Sequence, residues 1–129
     1  MISFLQFLSE AKVKGTYADE HGSYPVQTLI DLVNTHKIPV RTRRIATIAQ
    51  KNRETETKEG NLGKMLDKPN KKFLTRSEKA DTGFPILVTS DGWIADGAHR
   101  LAKMHRAGKT HIQTHTITKK ILRLARKKS

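Results

Sequence analysis

The chain has 129 residues, of which 36% are hydrophobic and 29% are charged, and this composition fits one domain with a single modest core. The absence of cysteine excludes disulfide bonds and thiolate metal sites, and no apolar run approaches the roughly 18 residues that a membrane span needs. Lysine and arginine number 25 against 12 acidic residues, so the formal net charge is +13. A charge of this size predicts a polyanionic partner, and nucleic acid is the first expectation.

The first eleven residues, MISFLQFLSEA, predict a short amphipathic helix because apolar positions 4, 5, 7, 8 and 11 form one stripe. The segment is too short for a secretory signal and lacks its basic leader. It resembles the capsid-targeting propeptides of internal head proteins in T-even-type tailed phages, which a prohead protease removes after the pattern Leu or Ile, any residue, Glu. The resemblance implies a cut between Glu10 and Ala11, prohead or capsid partners, and a location in the virion interior or the host cytoplasm. The alternative is an ordinary packing helix or a frayed terminus.

The next part of the chain predicts two helices and a loop. Residues 25–36 (PVQTLIDLVNTH) predict a helix whose core-facing side chains are Leu29, Ile30, Leu32 and Val33. Ile38–Val40 predicts a short extended piece, and residues 45–50 predict the start of another helix. Residues 51–82 are polar, with glycines, a proline and few apolar side chains, so a long loop or a mobile lid is predicted there.

Residues 84–117 carry the strongest local signals. Ile86–Thr89 and Trp93–Ala95 are short β-prone runs on either side of an Asp-Gly pair, which predicts a β-hairpin. Apolar residues at helical spacing after position 100, with Gly108 as a stop, predict a helix followed by a strand. Trp93 either covers the core or stacks on a base.

The corner between this hairpin and this helix, Asp96-Gly97-Ala98-His99-Arg100, is where we expect chemistry. Asp96 or Gly97 is the expected helix N-cap, which places His99 and Arg100 in the first turn. Free amides at a helix N-terminus together with two basic side chains suit a phosphate or a carboxylate. In the alternative, Asp96 only caps the helix and pairs with Arg100, and His99 is a surface residue.

The succession of hairpin, Asp-Gly-x-His-Arg corner, helix, glycine and strand resembles the ParB/sulfiredoxin superfamily over the C-terminal third of the chain. The resemblance implies a small α/β (α+β) domain with a mixed sheet, a hairpin and packed helices. It also implies that ATP or CTP with Mg²⁺ binds at the corner, where Gly97, Ala98, His99 and Arg100 would contact phosphates. Asp96 and His99 would be catalytic, and Asp96 would hold the metal.

Two departures narrow the activities that this resemblance implies. Sulfiredoxins place a reactive cysteine in the corner, and a chain without cysteine cannot repair sulfinic acids in that way. ParB partition proteins carry a second arginine-rich phosphate motif and a helix-turn-helix domain after the corner, and neither is visible here. The remaining activities are hydrolysis of a nucleoside triphosphate, phosphoryl transfer and nuclease action, on or with DNA. The alternatives are a non-enzymatic, basic, DNA-associated internal head protein and a small-molecule kinase of the free-serine type.

Basic side chains outside the corner predict nucleic-acid binding, with DNA as the expected partner. Residues 119–129 predict a basic amphipathic helix or tail that follows the domain proper at residues 11–118. The alternative is a set of solvated faces that only aid solubility. The candidate contacts are Arg41, Arg43, Arg44, Lys119, Lys120, Arg123, Arg126, Lys127 and Lys128.

Overall fold

A computed structural model describes residues 15–128, with side chains described for residues 15–126. The strands of this part are β1 Thr16–Asp19, β2 Gly22–Pro25, β3 Val40–Arg44, β4 Glu56–Thr57, β5 Gly60–Asn61, β6 Ile86–Thr89, β7 Ile94–Asp96 and β8 His111–Ile117. Its helices are α1 Val26–Thr35, α2 Ile45–Lys51, α3 Leu62–Asp67, α4 Lys71–Lys79, α5 Ala98–Arg106 and α6 Lys119–Lys128.

The main sheet has four strands in the order β3-β8-β6-β7. β8 pairs antiparallel with β3 and parallel with β6, and β6 pairs antiparallel with β7. The parallel pairing requires a crossover, which α5 provides between β7 and β8. The mixed sheet and the α+β class that we expected are therefore confirmed. Two small hairpins, β1–β2 and β4–β5, lie outside this sheet.

Both faces of the sheet are covered, because successive side chains of the central strand β6 enter different parts of the core. Leu87 packs in a cluster with apolar side chains of α1 and α6. Ile86 and Val88 pack in a second cluster, with apolar side chains of α2, α3, α4 and α5. The domain therefore has three layers, and all four residues of β6 are buried.

The predicted hairpin, the two helices before it and the strand after it are confirmed. Helix α1 begins directly after Pro25, and all four of its expected core residues are buried. β6 and β7 form the hairpin around the Asp-Gly turn. Gly108 follows the end of α5 with a φ of 78°, a left-handed conformation that glycine adopts without strain.

The prediction of a long polar loop at residues 51–82 was wrong. This segment contains the β4–β5 hairpin and the helices α3 and α4. Asn61 and Asn70 cap the two helices by accepting hydrogen bonds from Lys64 N and Phe73 N, at 3.1 and 2.9 Å. The segment is polar because each helix buries few apolar side chains, Leu62 and Met65 in α3 and Phe73 in α4.

The predicted basic helix at residues 119–129 is confirmed as α6, and the extended piece is longer than expected. The extended piece expected at Ile38–Val40 leads into strand β3, which continues through Arg44 at the edge of the sheet. Helix α6 is not a tail beside the domain, because Ile121, Leu122 and Ala125 are buried in the core and the helix packs against α1. The predicted propeptide at residues 1–10 and its cleavage position before Ala11 lie outside the described residues. Among the helices of residues 15–128, none is long and apolar enough to cross a membrane.

Candidate functional site

Gly97 forms the corner and is the N-cap residue of α5. Its φ of 115° lies in the left-handed region, and a Cβ atom built at this position would lie 2.7 Å from the Cβ of Ile86. Glycine is therefore required for both conformation and space. The first amides of α5 have no partner within the helix, as at any helix N-terminus.

Asp96 lies at the end of β7 and does not cap the helix. Its Oδ2 accepts a hydrogen bond of 2.6 Å from Nη2 of Arg100, one helical turn later. The exposed fractions of the two side chains are 29% for Asp96 and 13% for Arg100. Burial raises the pKa of Asp96, and this effect outweighs the opposing influence of the Arg100 charge and hydrogen bond and of His99. The aspartate is thus held in place while part of its surface remains accessible.

His99 is anchored by residues of the segment that was expected to be a loop. Its Nε2 lies 2.6 Å from Oε1 of Glu59, in the turn of the β4–β5 hairpin. Oε2 of the same carboxylate lies 3.1 Å from Nε of Arg76. The ring of Phe73 lies against the imidazole, with 5.0 Å between ring centroids. The alternative in which His99 is simply a surface residue is wrong, because only 25% of its side chain is exposed.

The corner opens into a cleft of about 1110 Å³. Asp96, Gly97, Ala98 and His99 line one part of this cleft. Three cations of helix α6 line another part, and they are Lys119, Arg123 and Arg126. The fold therefore brings two segments together that were expected to act separately, the corner and the basic C-terminal helix. Lys120 lies on the same helix but does not line the cleft.

Aromatic and polar side chains complete the cleft. Trp93, which precedes β7, lines it with 41% of its surface exposed, so it does not cover the core. The Nζ atom of Lys51 lies 4.5 Å from the centroid of its ring, a cation–π contact. Tyr17 and the buried Asn52 also line the cleft. Arg100 is not among the lining residues, because its guanidinium group is directed to Asp96.

The arginines of β3 lie elsewhere in the molecule. β3 is at one edge of the sheet, and the corner follows β7 at the other edge. Arg41 and Arg44 are exposed, whereas Arg43 donates a hydrogen bond of 2.8 Å from Nη2 to Oγ1 of Thr116. The candidate nucleic-acid residues thus divide between two surfaces. Lys127 and Lys128 belong to α6, and their side chains are outside the described part.

The donor set of the cleft fits a nucleotide better than a protein-bound metal cluster. Within the described residues, no three His, Cys, Asp or Glu side chains are grouped as metal ligands. Mg²⁺ in nucleotide sites commonly uses one or two carboxylates together with phosphate oxygens, and Asp96 supplies one such carboxylate. The volume of the cleft, about 1110 Å³, lies slightly above the usual range for small-molecule sites, about 300–1,000 Å³.

Two side chains of the site, Glu59 and Asn52, were missed in the sequence. Glu59 lies 40 residues before its partner His99, and no local pattern links the two. Asn52 follows α2 and bonds to residues about 40 positions later. The sequence marks Asn52 only by its position just after the predicted helix at residues 45–50, and it gives no signal for Glu59.

A family model described as the ddrB-like ParB superfamily domain matches residues 18–126. The match includes the corner, the Glu59 hairpin and the cations of α6 that line the cleft. It agrees with the superfamily expected from the corner and extends the similarity to nearly the whole described chain. The chain has no significant match among curated proteins or solved structures.

Proposed function

The chain belongs to the ddrB-like ParB superfamily domain family, and we propose that it binds a nucleoside triphosphate, ATP or CTP with Mg²⁺, in the cleft between the corner and helix α6. The observation that carries this proposal is the placement of Lys119, Arg123 and Arg126 in the same cleft as the N-terminus of α5. Helix N-termini and arginine side chains are both favourable phosphate ligands.

In this proposal, the phosphate groups lie between the α5 amides and the cations of α6. The side chain of Arg100 orients Asp96 rather than reaching the ligand. The base extends toward Trp93, whose exposed ring offers a stacking surface. Asp96 would hold Mg²⁺ at this site, and the ion would supply positive charge that offsets the negative charge of the phosphate groups.

Asp96 and His99 are the candidates for the chemical step, because they are the two titratable side chains of the corner that line the cleft. The proposed reaction is hydrolysis of the triphosphate or transfer of its phosphoryl group. Separation and identification of the products distinguishes hydrolysis from phosphoryl transfer. Release of inorganic phosphate without an acceptor supports hydrolysis, whereas phosphorylation of added serine supports a kinase of the free-serine type.

Calorimetric titration of the protein with ATP, CTP and GTP tests the binding site. Replacing Arg123 by alanine should weaken binding by about 1.5–3 kcal/mol, the usual contribution of a charged hydrogen bond, or roughly 10- to 150-fold in Kd. Lys120→Ala is the matched control, since it removes one cation from the same helix outside the cleft. Absence of nucleotide binding by the parent protein, or equal losses in the two variants, would contradict the proposal.

A second function is favoured by the edge strand β3, where Arg41 and Arg44 are exposed far from the cleft. The protein carries a net charge of +13, and we propose that this surface binds DNA phosphates without preference for a base sequence. The logarithm of the affinity should fall linearly with the logarithm of salt concentration. In the Arg41→Ala/Arg44→Ala variant, the slope should decrease by about 1.8, or roughly 0.9 for each phosphate that the protein no longer neutralises.

The control for this experiment is Lys64→Ala/Lys68→Ala, which removes the same charge from exposed positions in and just after α3. An equal change of slope in the control would mean that DNA binding depends on the overall positive charge of the protein and not on the arginines of β3. Deletion of residues 119–129 is not a suitable test, because it would also remove buried residues of α6. Salt-dependent DNA binding without nucleotide turnover would favour the non-enzymatic, DNA-associated role.

A further inference from the structure

Glu59 is unusual because its side chain is only 4% exposed although it lies in the turn of a small hairpin. A carboxylate in such a place loses most of its hydration and needs partners in return. Its two oxygens meet two different groups, Nε2 of His99 at 2.6 Å and Nε of Arg76 at 3.1 Å. Arg76 alone would provide a charge partner, so the contact with His99 requires a separate explanation.

The contact determines which ring nitrogen of His99 carries a proton. An ionised carboxylate can only accept hydrogen bonds, so Nε2 of His99 must donate. Arg76 donates from Nε to Oε2, so the second oxygen of the same carboxylate is also an acceptor. The ring of Phe73, 5.0 Å from that of His99 between centroids, restricts rotation of the imidazole. Nδ1 is then the ring nitrogen left for a ligand in the cleft that His99 lines.

We propose that Glu59 is a positioning residue that holds the proton of His99 on Nε2 and so makes Nδ1 the atom that exchanges a proton with the bound ligand. This inference rests on the nucleotide site proposed above and assigns His99 to proton transfer instead of phosphate binding. The hydrogen bond made by one ring nitrogen sets the role of the other in many histidine sites.

For hydrolysis, the proton balance is simple. A water molecule gives one proton to Nδ1 of His99, and its oxygen forms a bond to the terminal phosphorus. The bond between that phosphorus and the bridging oxygen breaks, and the nucleoside diphosphate leaves with the electron pair. His99 then returns the proton to solvent or to the product. In phosphoryl transfer, the hydroxyl group of the acceptor takes the place of water.

NMR of the imidazole nitrogens in the ¹⁵N-labelled, ligand-free protein tests the position of the proton directly. Loss of one set of ring signals in His99→Gln identifies those of His99. Neutral His99 in the parent protein should show a protonated Nε2 and an unprotonated Nδ1. The opposite assignment overturns the proposal, and this measurement needs no variant at Glu59.

The Glu59→Gln variant tests the cause. A glutamine amide can either donate or accept, so the population with the proton on Nδ1 should rise severalfold. The control is Asp67→Asn, which breaks the exposed Arg53–Asp67 ion pair of 2.6 Å in the same segment and should leave the His99 signals unchanged. Unaltered tautomer populations in Glu59→Gln would reject the positioning role.

Steady-state kinetics then tests the consequence for the reaction. In Glu59→Gln, kcat should fall at least about tenfold while KM changes less than about twofold, because an oriented proton acceptor matters mainly in the chemical step. A kcat that stays at the parent value would overturn the proton-exchange role. If the parent protein binds no nucleotide, the proposed function fails, and the NMR result still decides whether Glu59 sets the tautomer.

Discussion

The side chain of Asn52 holds the backbone of Ile94 through a hydrogen bond of 2.9 Å from the Ile94 N–H to Oδ1. Its Nδ2 donates to the carbonyl oxygens of Ile48 and Gly92, at 2.8 and 2.9 Å. The hydroxyl group of Thr55 donates to the same Oδ1 at 3.1 Å. One fully buried amide therefore joins the end of α2 to the β6–β7 turn and positions the strand that leads into the corner.

We expect Asn52→Asp to lower the free energy of unfolding by at least about 3 kcal/mol at pH 7, because a buried carboxylate would face the carbonyl oxygens of Ile48 and Gly92. The loss should be smaller at acidic pH, where the protonated acid can donate to one of them. Urea denaturation at several pH values measures both effects.

Asn70→Asp is the matched control for that change. Asn70 is exposed, and its Oδ1 caps α4 by accepting from Phe73 N, which an aspartate can also do. Its Nδ2 donates a long, exposed hydrogen bond of 3.3 Å to the Glu59 carbonyl oxygen, and an aspartate loses this bond. The control should therefore change stability by less than about 1 kcal/mol. A similar loss in both variants would mean that the buried network around Asn52 has no special importance.

Gly97→Ala should destabilise the domain by about 2–5 kcal/mol, since it adds left-handed strain and a clash with Ile86. Gly108 also has a positive φ but no neighbouring atom within 4 Å of an added Cβ. Gly108→Ala should therefore show the strain alone, about 1–2 kcal/mol. Thermal and urea denaturation compare the two, and equal losses would show that the contact with Ile86 has no cost.

Lys37 follows the C-cap of α1 and has a φ of 52°; it is the single non-glycine residue with positive φ in the described part of the chain. Ile38 N donates to Val33 O at 3.0 Å and Lys37 N to Asn34 O at 3.2 Å, which is the Schellman arrangement. Because glycine is preferred at this position, Lys37→Gly should raise the free energy of unfolding by up to about 1 kcal/mol. Lys37→Ala keeps the strain and should bring no such gain.

Burial lowers the pKa of His115 below its ordinary value of 6.5 and outweighs the hydrogen bonds to the backbone of Ile38 and Pro39. Within the described residues its Nε2 is buried without a hydrogen-bond partner. The unfolded chain therefore binds a proton near pH 6.5 that the folded protein takes up only at lower pH. The stability that this difference provides is present above pH 6.5 and is lost as the pH falls toward the folded pKa.

His115→Leu should flatten the fall in stability between pH 7 and pH 5, by at most about 1.4 kcal/mol per pH unit. Near pH 7.5 it should also cost about 1 kcal/mol, because leucine cannot replace the 3.0 Å hydrogen bond between Nδ1 and the Ile38 carbonyl. Urea denaturation at several pH values measures the slope. His105→Gln, at an exposed position, should keep the parent slope, and an unchanged slope in His115→Leu would refute the assignment.

The elements that could be predicted from the sequence are those with a local signal. Three such signals act within a few residues: the Asp-Gly turn, the helix start after Pro25 and the helix end before Gly108. The structure contains all three features. Strand β3 was missed beyond Val40 because an edge strand can be rich in arginine when both of its faces are largely exposed.

The rest of the site depends on contacts that are distant in the sequence. Helices α3 and α4 have asparagine caps, but each cap is followed by too few apolar residues to form a recognisable stripe. Glu59 and Asn52 have partners about 40 residues away. The corner was found because its residues are contiguous, whereas the opposite wall of the cleft becomes visible only when α6 packs against α1.

The pairing of β3 with β8 has a consequence for synthesis on the ribosome. Arg41 is bonded to Thr114, 73 residues later, and β8 is the only neighbour of β3 in the main sheet of the described chain. Helix α1 is likewise separated from α6 in the sequence, and the two helices bury apolar side chains in the same core cluster. Strand β3 and helix α1 therefore emerge before these partners, and the core can close only after α6 has left the exit tunnel.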